Sequence, residues 1–203
     1  MVIYPSTLSV RDIEKLVKFD ITNNLLKGYT SSKTDNVFGS IVHEALVRFV
    51  DEKNVLDEEA AAAWSVPLIK SLDKNYMDRL KFILCSYNRN KTIKNQDIKN
   101  IFKEEMIEAK AGSNVVRGRI DKIITTKQNY LYIIDYKTTL TMKPINSFRG
   151  QAKCYQYLLA RAGFTGYKKV YFCIHYLDFN FIDIAKLKMD TEKIEYILMN
   201  MKA

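Results

Sequence analysis

The sequence is short of the features that would set it apart from ordinary globular proteins. No apolar run approaches the ~18 residues of a membrane span, so no membrane contact is expected. The opening stretch, MVIYPSTLSVRDIEK, lacks the basic-then-apolar layout of a secretory leader, and a cytoplasmic protein is expected. Cysteine is scarce. Cys85, Cys154 and Cys173 stand far apart without a C-x-x-C pair, which argues against a disulfide framework or a zinc knuckle. They also fall short of the four ligands of an iron–sulfur cluster, so no such cluster is expected. Free cysteine prefers cores, and all three are expected as buried, reduced thiols. The chain has no G-x-x-x-x-G-K-[ST] phosphate loop and so no ATP-driven motor of that kind. Internal repeats and low-complexity linkers are also missing.

What the chain has is bulk and positive charge. With 203 residues it can bury ~70% of its unfolded surface and needs no staples to fold. Hydrophobic residues at 47% and charged residues at 27% exclude intrinsic disorder. Lys and Arg number 32 against 23 Asp and Glu, a net charge of +9, which is the usual footprint of a polyanionic partner. Lysines outnumber arginines, which suits point contacts to phosphates better than bidentate reading of bases.

Read in order, the chain is expected to form one domain over residues 1–203, mainly helical over 1–103 and α/β over 104–203. Ser9 can cap a helix toward Leu26, with Gly28 as its stop. SSKTDN (31–36) reads as a polar loop, and Val42, Leu46, Phe49 and Val50 mark a helix ending near Asp51. Residues 57–90 read as two helices kinked or broken at Pro67. Residues 91–103 read as a Lys- and Asn-rich connection closing in a short helix around Ile98, Ile101 and Phe102. Then the character changes. Strands are expected at Glu105–Lys110, Val115–Thr126 and Tyr130–Thr138, with turns at 111–114 and 127–129. A helix from about Ser147 to Ala162, strands at Lys169–Tyr176 and Asn180–Leu187, and a last helix from Asp190 complete the reading. The pattern predicts an α/β fold with a central mixed sheet flanked by helices, plus an N-terminal helical region.

The chemistry concentrates in VRGRID (116–121) and IIDYKT (133–138). Strand side chains alternate, so Asp135 and Lys137 share a face, while Tyr132, Ile134 and Tyr136 point the other way toward a core. Asp121, one hairpin away, can stand opposite Asp135. Two carboxylates and an ammonium are costly to bury together. A divalent ion held by both carboxylates offsets that cost, and oxygen ligands suit Mg²⁺ or Mn²⁺. Such an ion can polarise a phosphodiester and acidify water, and Lys137 can steady the charge that develops. On its own, an Asp-x-Lys triplet is more often a surface ion pair.

Together with their neighbours these segments resemble the PD-(D/E)XK nuclease superfamily, in particular its RecB-like branch and the nuclease domain of AddB-type recombination exonucleases. SVRDIEKL (9–16) is similar to that branch's opening helix and FGSIVHEAL (38–46) to its G-x-x-x-H helix. GRID (118–121) is similar to its G-x-x-D strand, IIDYKT (133–138) to its D-Y-K strand and QAKCYQY (151–157) to its Q-x-x-x-Y helix. The resemblance implies a restriction-endonuclease-like core. It also implies that His43, Asp121, Asp135 and the Tyr136 backbone carbonyl ligate Mg²⁺ or Mn²⁺ and that Lys137 is catalytic beside Asp121 and Asp135. Gln151 and Tyr155, on one helix face, would position DNA.

By that resemblance the protein is a metal-dependent deoxyribonuclease, an exonuclease working in end processing and recombination repair. Its partner is DNA, as single strands or frayed ends, with a helicase subunit as a second partner. The alternatives are a non-catalytic domain of the same fold that grips DNA or a helicase, and a nuclease of phage recombination or CRISPR adaptation. Each satellite residue has a plainer explanation. Taken alone, His43 is a core histidine, Tyr155 packs in a core, and Glu44 is helix-polar. Glu104 and Glu105 open the first strand and could add a carboxylate to the site, but a solvated helix-to-strand junction is the plainer reading. The run Lys81, Arg89, Lys91, Lys94, Lys99, Lys103 is a solvated face before it is a DNA track.

Overall fold

Two long strands and the turn between them carry the architecture. The structure is a computed structural model and describes residues 7–9, 33–90, 92–93, 97–112, 114–188, 195–196 and 199. Strand β1 is Thr7–Ser9, β2 Ile98–Ala111, β3 Asn114–Thr126, β4 Tyr130–Lys137, β5 Lys169–Tyr176 and β6 Phe181–Leu187. Helices are α1 (Lys33–Phe49), α2 (Glu58–Ile69), α3 (Lys74–Tyr87) and α4 (Arg149–Arg161). Short 3₁₀ turns occupy Ile145–Phe148 and Leu177–Phe179.

β2 and β3 pair antiparallel from Ala111↔Asn114 out to Ile98↔Thr126. Gly112 at φ 61 supplies the left-handed residue of their turn, and Asn129 at φ 65 does so between β3 and β4. β4 pairs parallel with β5, and β5 antiparallel with β6, so the sheet is mixed. The edge of β3 away from β2 is shared. β4 takes Lys122–Thr125 and β1 takes Val115–Arg117, leaving Gly118–Asp121 between them.

Both faces of the sheet are covered. α4 lies over one, where Tyr157, Leu158, Ile120, Ile133 and Phe172 form a core. α1–α3 cover the other, packing Phe38, Leu46, Leu80 and Ile83 on Ile124, Ile134 and Tyr136. The expected core side of β4 is therefore one of two. Arg79 ties the helical layer to the strands, bonding Asp178 at 2.7 and 3.1 Å and approaching Asp35 at 3.4 Å.

Several expectations change. Ile98–Phe102 is the start of β2, because pairing with β3 satisfies backbone groups that an isolated one-turn helix could not hold. The polar SSKTDN stretch is helical from Lys33, with Asp35 favouring the first turn through the helix dipole. Pro67 lies inside α2 near its end, and the break follows at residues 70–73, where the Asp73 carboxylate caps α3 by accepting Asn75 N–H at 2.8 Å. Cys85 is exposed on α3, while Cys154 and Cys173 are buried as expected. Ser9 ends β1; the helix expected after it lies outside the described residues, and so do the motif residues 10–16 and the last helix from Asp190. Among the described residues no helix is long and apolar enough to cross a membrane.

Candidate active site

The site forms where β3 and β4 part. Their ladder ends at Lys122↔Ile134, and the next residues, Asp121 and Asp135, are no longer paired through backbone. The Asp121 side chain takes over: its Oδ2 accepts the Tyr136 backbone N–H at 2.8 Å. Asp121 thus occupies the gap it keeps open.

α1 closes the gap from the helical side. Gly39 permits the approach, since a β-carbon there would sit 2.6 Å from Thr138 Oγ1 at the end of β4. One turn on, His43 Nδ1 lies 3.7 Å from Asp121 Oδ2, and its ring meets that of Tyr136 edge-on. Burial holds the His43 pKa down to about 4, against smaller opposing effects of Asp135 and a hydrogen bond to the Tyr136 backbone. The imidazole is therefore neutral at pH 7 and has a lone pair to offer.

The sheet contributes the carboxylates. Burial, then the nearby Asp135 charge, raises the Asp121 pKa to about 7. Asp135 is 4% exposed. Its Oδ1 accepts Gln151 Nε2 at 2.6 Å. Its Oδ2 is ion-paired with Lys137 Nζ at 2.6 Å. Gln151 also donates to the Tyr155 hydroxyl at 3.0 Å, and Tyr155 donates to the Arg119 carbonyl at 2.9 Å. α4 thereby anchors both Asp135 and the backbone two residues before Asp121.

Glu104 completes the cluster. It faces Asp121 across the β2–β3 ladder at φ 52, a left-handed conformation that costs a non-glycine residue of order 1–3 kcal/mol. Its carboxylate pairs with Arg119 Nε at 2.8 Å, and burial raises its pKa. Ligand atoms of His43, Glu104 and Asp121 lie within 4.8 Å of one another. One nitrogen and carboxylate oxygens from two residues suit a hard divalent cation. The reading of Glu104 as a solvated junction is corrected. Counting the register outward from the Gly112 turn places it opposite Asp121, a signal present in the sequence.

His43 and Glu104 open onto a cleft of about 730 Å³, walled by α1 residues such as Asn36 and Ser40 and by Arg119, Lys137, Thr138 and Thr139. His43, Glu104, Tyr136 and Lys137 come together there, with the buried Asp121 beside His43 and the buried Asp135 beside Lys137; Gln151 and Tyr155 are buried behind Asp135. Glu44 lines the rim and pairs with Arg48 at 2.7 Å. In the basic run, Lys81, Arg89 and Lys99 are exposed, and Lys91 and Lys94 lie outside the described residues. Lys103 is spoken for: its ammonium donates to the Val47 and Val50 carbonyls at 2.6 Å each, capping α1.

The family model of the PD-(D/E)XK nuclease superfamily matches residues 17–196. No curated protein matches. Among solved structures, one titled "Crystal structure of SSO0001" is similar at 15% identity and a TM-score of 0.36, over 97% of this chain and 75% of that one. The mixed sheet with flanking helices is the restriction-endonuclease-like α/β architecture.

Proposed function

From the chain's membership of the PD-(D/E)XK nuclease superfamily, we propose that it is a single-domain, metal-dependent deoxyribonuclease of the RecB-like branch, acting on DNA ends in recombination repair. The observation that carries the reading is the convergence at the parted strands: the Asp121 carboxylate on Tyr136 N–H, His43 3.7 Å from it, and Asp135 paired with Lys137.

His43, Glu104, Asp121 and Asp135 would hold Mg²⁺ or Mn²⁺, with the Tyr136 carbonyl as a further oxygen. A bound cation supplies a Lewis acid for the phosphate and acidifies water. Neutral His43 binds without competing for a proton. Asp121 is aligned before any ion arrives, because its second function as acceptor for Tyr136 N–H fixes its rotamer. Lys137 offers donors and charge but no lone pair, so it serves the developing negative charge on the phosphate rather than the cation. Gln151 and Tyr155 act on DNA through Asp135, whose carboxylate they orient. A helicase partner would supply the strand, since the sequence contains no phosphate loop.

The test is substrate choice. Single-stranded and tailed DNA are flexible enough to enter the cleft, and duplex must first unpair. Single-stranded and tailed substrates should be cut well, relaxed closed circles poorly, and ATP should have no effect. Equal cutting of closed circles would indicate a restriction-like endonuclease and remove the end-processing role.

A further inference from the structure

On the helical face of the sheet, behind the cleft, lies a buried lysine whose described bonds are all to neutral groups. Lys122 is 1% exposed and follows Asp121 on β3. Its ammonium donates to the Tyr87 hydroxyl at 2.7 Å and to the Asn54 side-chain carbonyl, and it stands over the rings of Tyr87 and Tyr136. The Tyr87 hydroxyl lies 3.0 Å from that of Tyr136 and 3.2 Å from Asn54 Oδ1. His175 packs on both tyrosine rings at 5.7 Å. A buried ammonium and two buried hydroxyls are an expensive way to fill a core that an aliphatic cluster would fill more cheaply.

The placement explains the expense. Lys122 adjoins Asp121, and Tyr136 separates Asp135 from Lys137 while donating its N–H to Asp121. Lys122↔Ile134 is also the last backbone pair before the strands part. Beyond that point no ladder sets their spacing, and a hydroxyl bonded to a residue of each strand can. We propose that Tyr87 is a positioning residue: its hydroxyl ties Lys122 of β3 to Tyr136 of β4 and so sets the width of the gap that holds Asp121 apart from Asp135 and Lys137. This rests on reading the gap as a metal-dependent nuclease site. Active-site groups must be held to about 0.5 Å to work. Mg²⁺ demands near-ideal octahedral geometry where Ca²⁺ tolerates irregular shells, so a loosened gap penalises Mg²⁺ selectively.

The experiment uses the full chain with Tyr87→Phe, and with Tyr87→Phe/Lys122→Met to remove the stranded ammonium should the single variant fold poorly. Mg²⁺ and Ca²⁺ affinities are measured by calorimetry, kcat and KM on single-stranded DNA, and amide exchange at Tyr136 in metal-free protein. In whichever variant folds, Mg²⁺ affinity falls tenfold or more with Ca²⁺ affinity within threefold, and kcat falls ten- to hundredfold with KM within threefold. Tyr136 exchange speeds at least tenfold. Lower thermal stability with unchanged Mg²⁺ preference and unchanged Tyr136 exchange would make Tyr87 merely structural and overturn the proposal. The exchange readout needs neither metal nor DNA. Faster exchange in a protein that cuts nothing would uphold the positioning role while removing the nuclease reading beneath it.

Discussion

The Asp121 carboxylate and the Tyr136 backbone N–H meet at 2.8 Å, in the place where the next rung of the β3–β4 ladder would have been. A side chain has replaced a carbonyl as acceptor, and the strands splay to admit it. The consequence is a buried acid held before any cation is bound, with its charge opposed by desolvation and by Asp135.

That cost has a sign in pH. Asp121, raised from 3.8 to about 7, contributes stability that is full below pH 3.8 and lost as pH rises through 7. His43, lowered from 6.5 to about 4, works oppositely: its contribution is full above pH 6.5 and lost as pH falls through 4. His175, lowered by burial to about 3, adds to the His43 trend. Metal-free Asp121→Asn should therefore gain on wild type steadily from pH 4 to 7, with the gap in stability widening across that range. Urea titrations in EDTA across that range check it; parallel stability curves for the two proteins would show that Asp121 carries no such cost.

Glu104 is strained, part-buried and grouped with His43 and Asp121. Glu104→Gln should weaken Mn²⁺ binding at least tenfold by calorimetry, while Glu105→Gln leaves it within twofold. An equal effect of the two substitutions would mean that net charge on β2, not a ligand, is being measured.

Gln151→Leu removes the donor at Asp135 Oδ1 and leaves a buried carboxylate oxygen without its partner. We expect kcat to fall ten- to hundredfold with KM for DNA within threefold, and Tyr155→Phe to show a milder form of the same split. A rise in KM at constant kcat would instead place Gln151 in contact with the DNA.

Much of this was legible from residues alone. The β3–β4 hairpin, β5, β6 and α4 could be read because alternation and the turn residues at 112 and 127–129 agree with the tertiary fold, and Asp121, Asp135 and Lys137 follow from that register. Ile98–Phe102 misled because its apolar spacing fits a helix as well as a strand, and only the long partner strand decides between them. Glu104 and Lys103, adjacent charged residues, look like solvated surface. One turns into the cleft through a positive φ, and the other crosses to cap the end of α1. Counting register from the Gly112 turn places Glu104 opposite Asp121, but the Lys103 cap on α1 is not written in the sequence pattern.

Lys103 also gives the charge argument a control. Binding of catalytically dead Asp135→Ala protein to single-stranded DNA should weaken steeply with salt, as phosphate contacts require, and show little sequence dependence. Lys81→Ala with Lys99→Ala should flatten the slope of log Kd against log salt. Lys103→Ala should leave the slope alone and cost about 1 kcal/mol of stability through the lost cap. A slope insensitive to Lys81 and Lys99 would move the DNA track elsewhere on the surface.

The most direct test is a cleavage assay on end-labelled single-stranded DNA with the protein first stripped by EDTA. The stripped protein should be inert, recover with Mg²⁺ or Mn²⁺, and stay silent with Ca²⁺. Asp121→Ala and Asp135→Ala should be dead with weakened metal binding. Lys137→Ala should be equally dead while binding Mn²⁺ within about threefold of wild type, because an ammonium is no ligand. Full cleavage by the chelated protein, or by Lys137→Ala, would contradict a metal site built from His43, Glu104, Asp121 and Asp135 with Lys137 beside it.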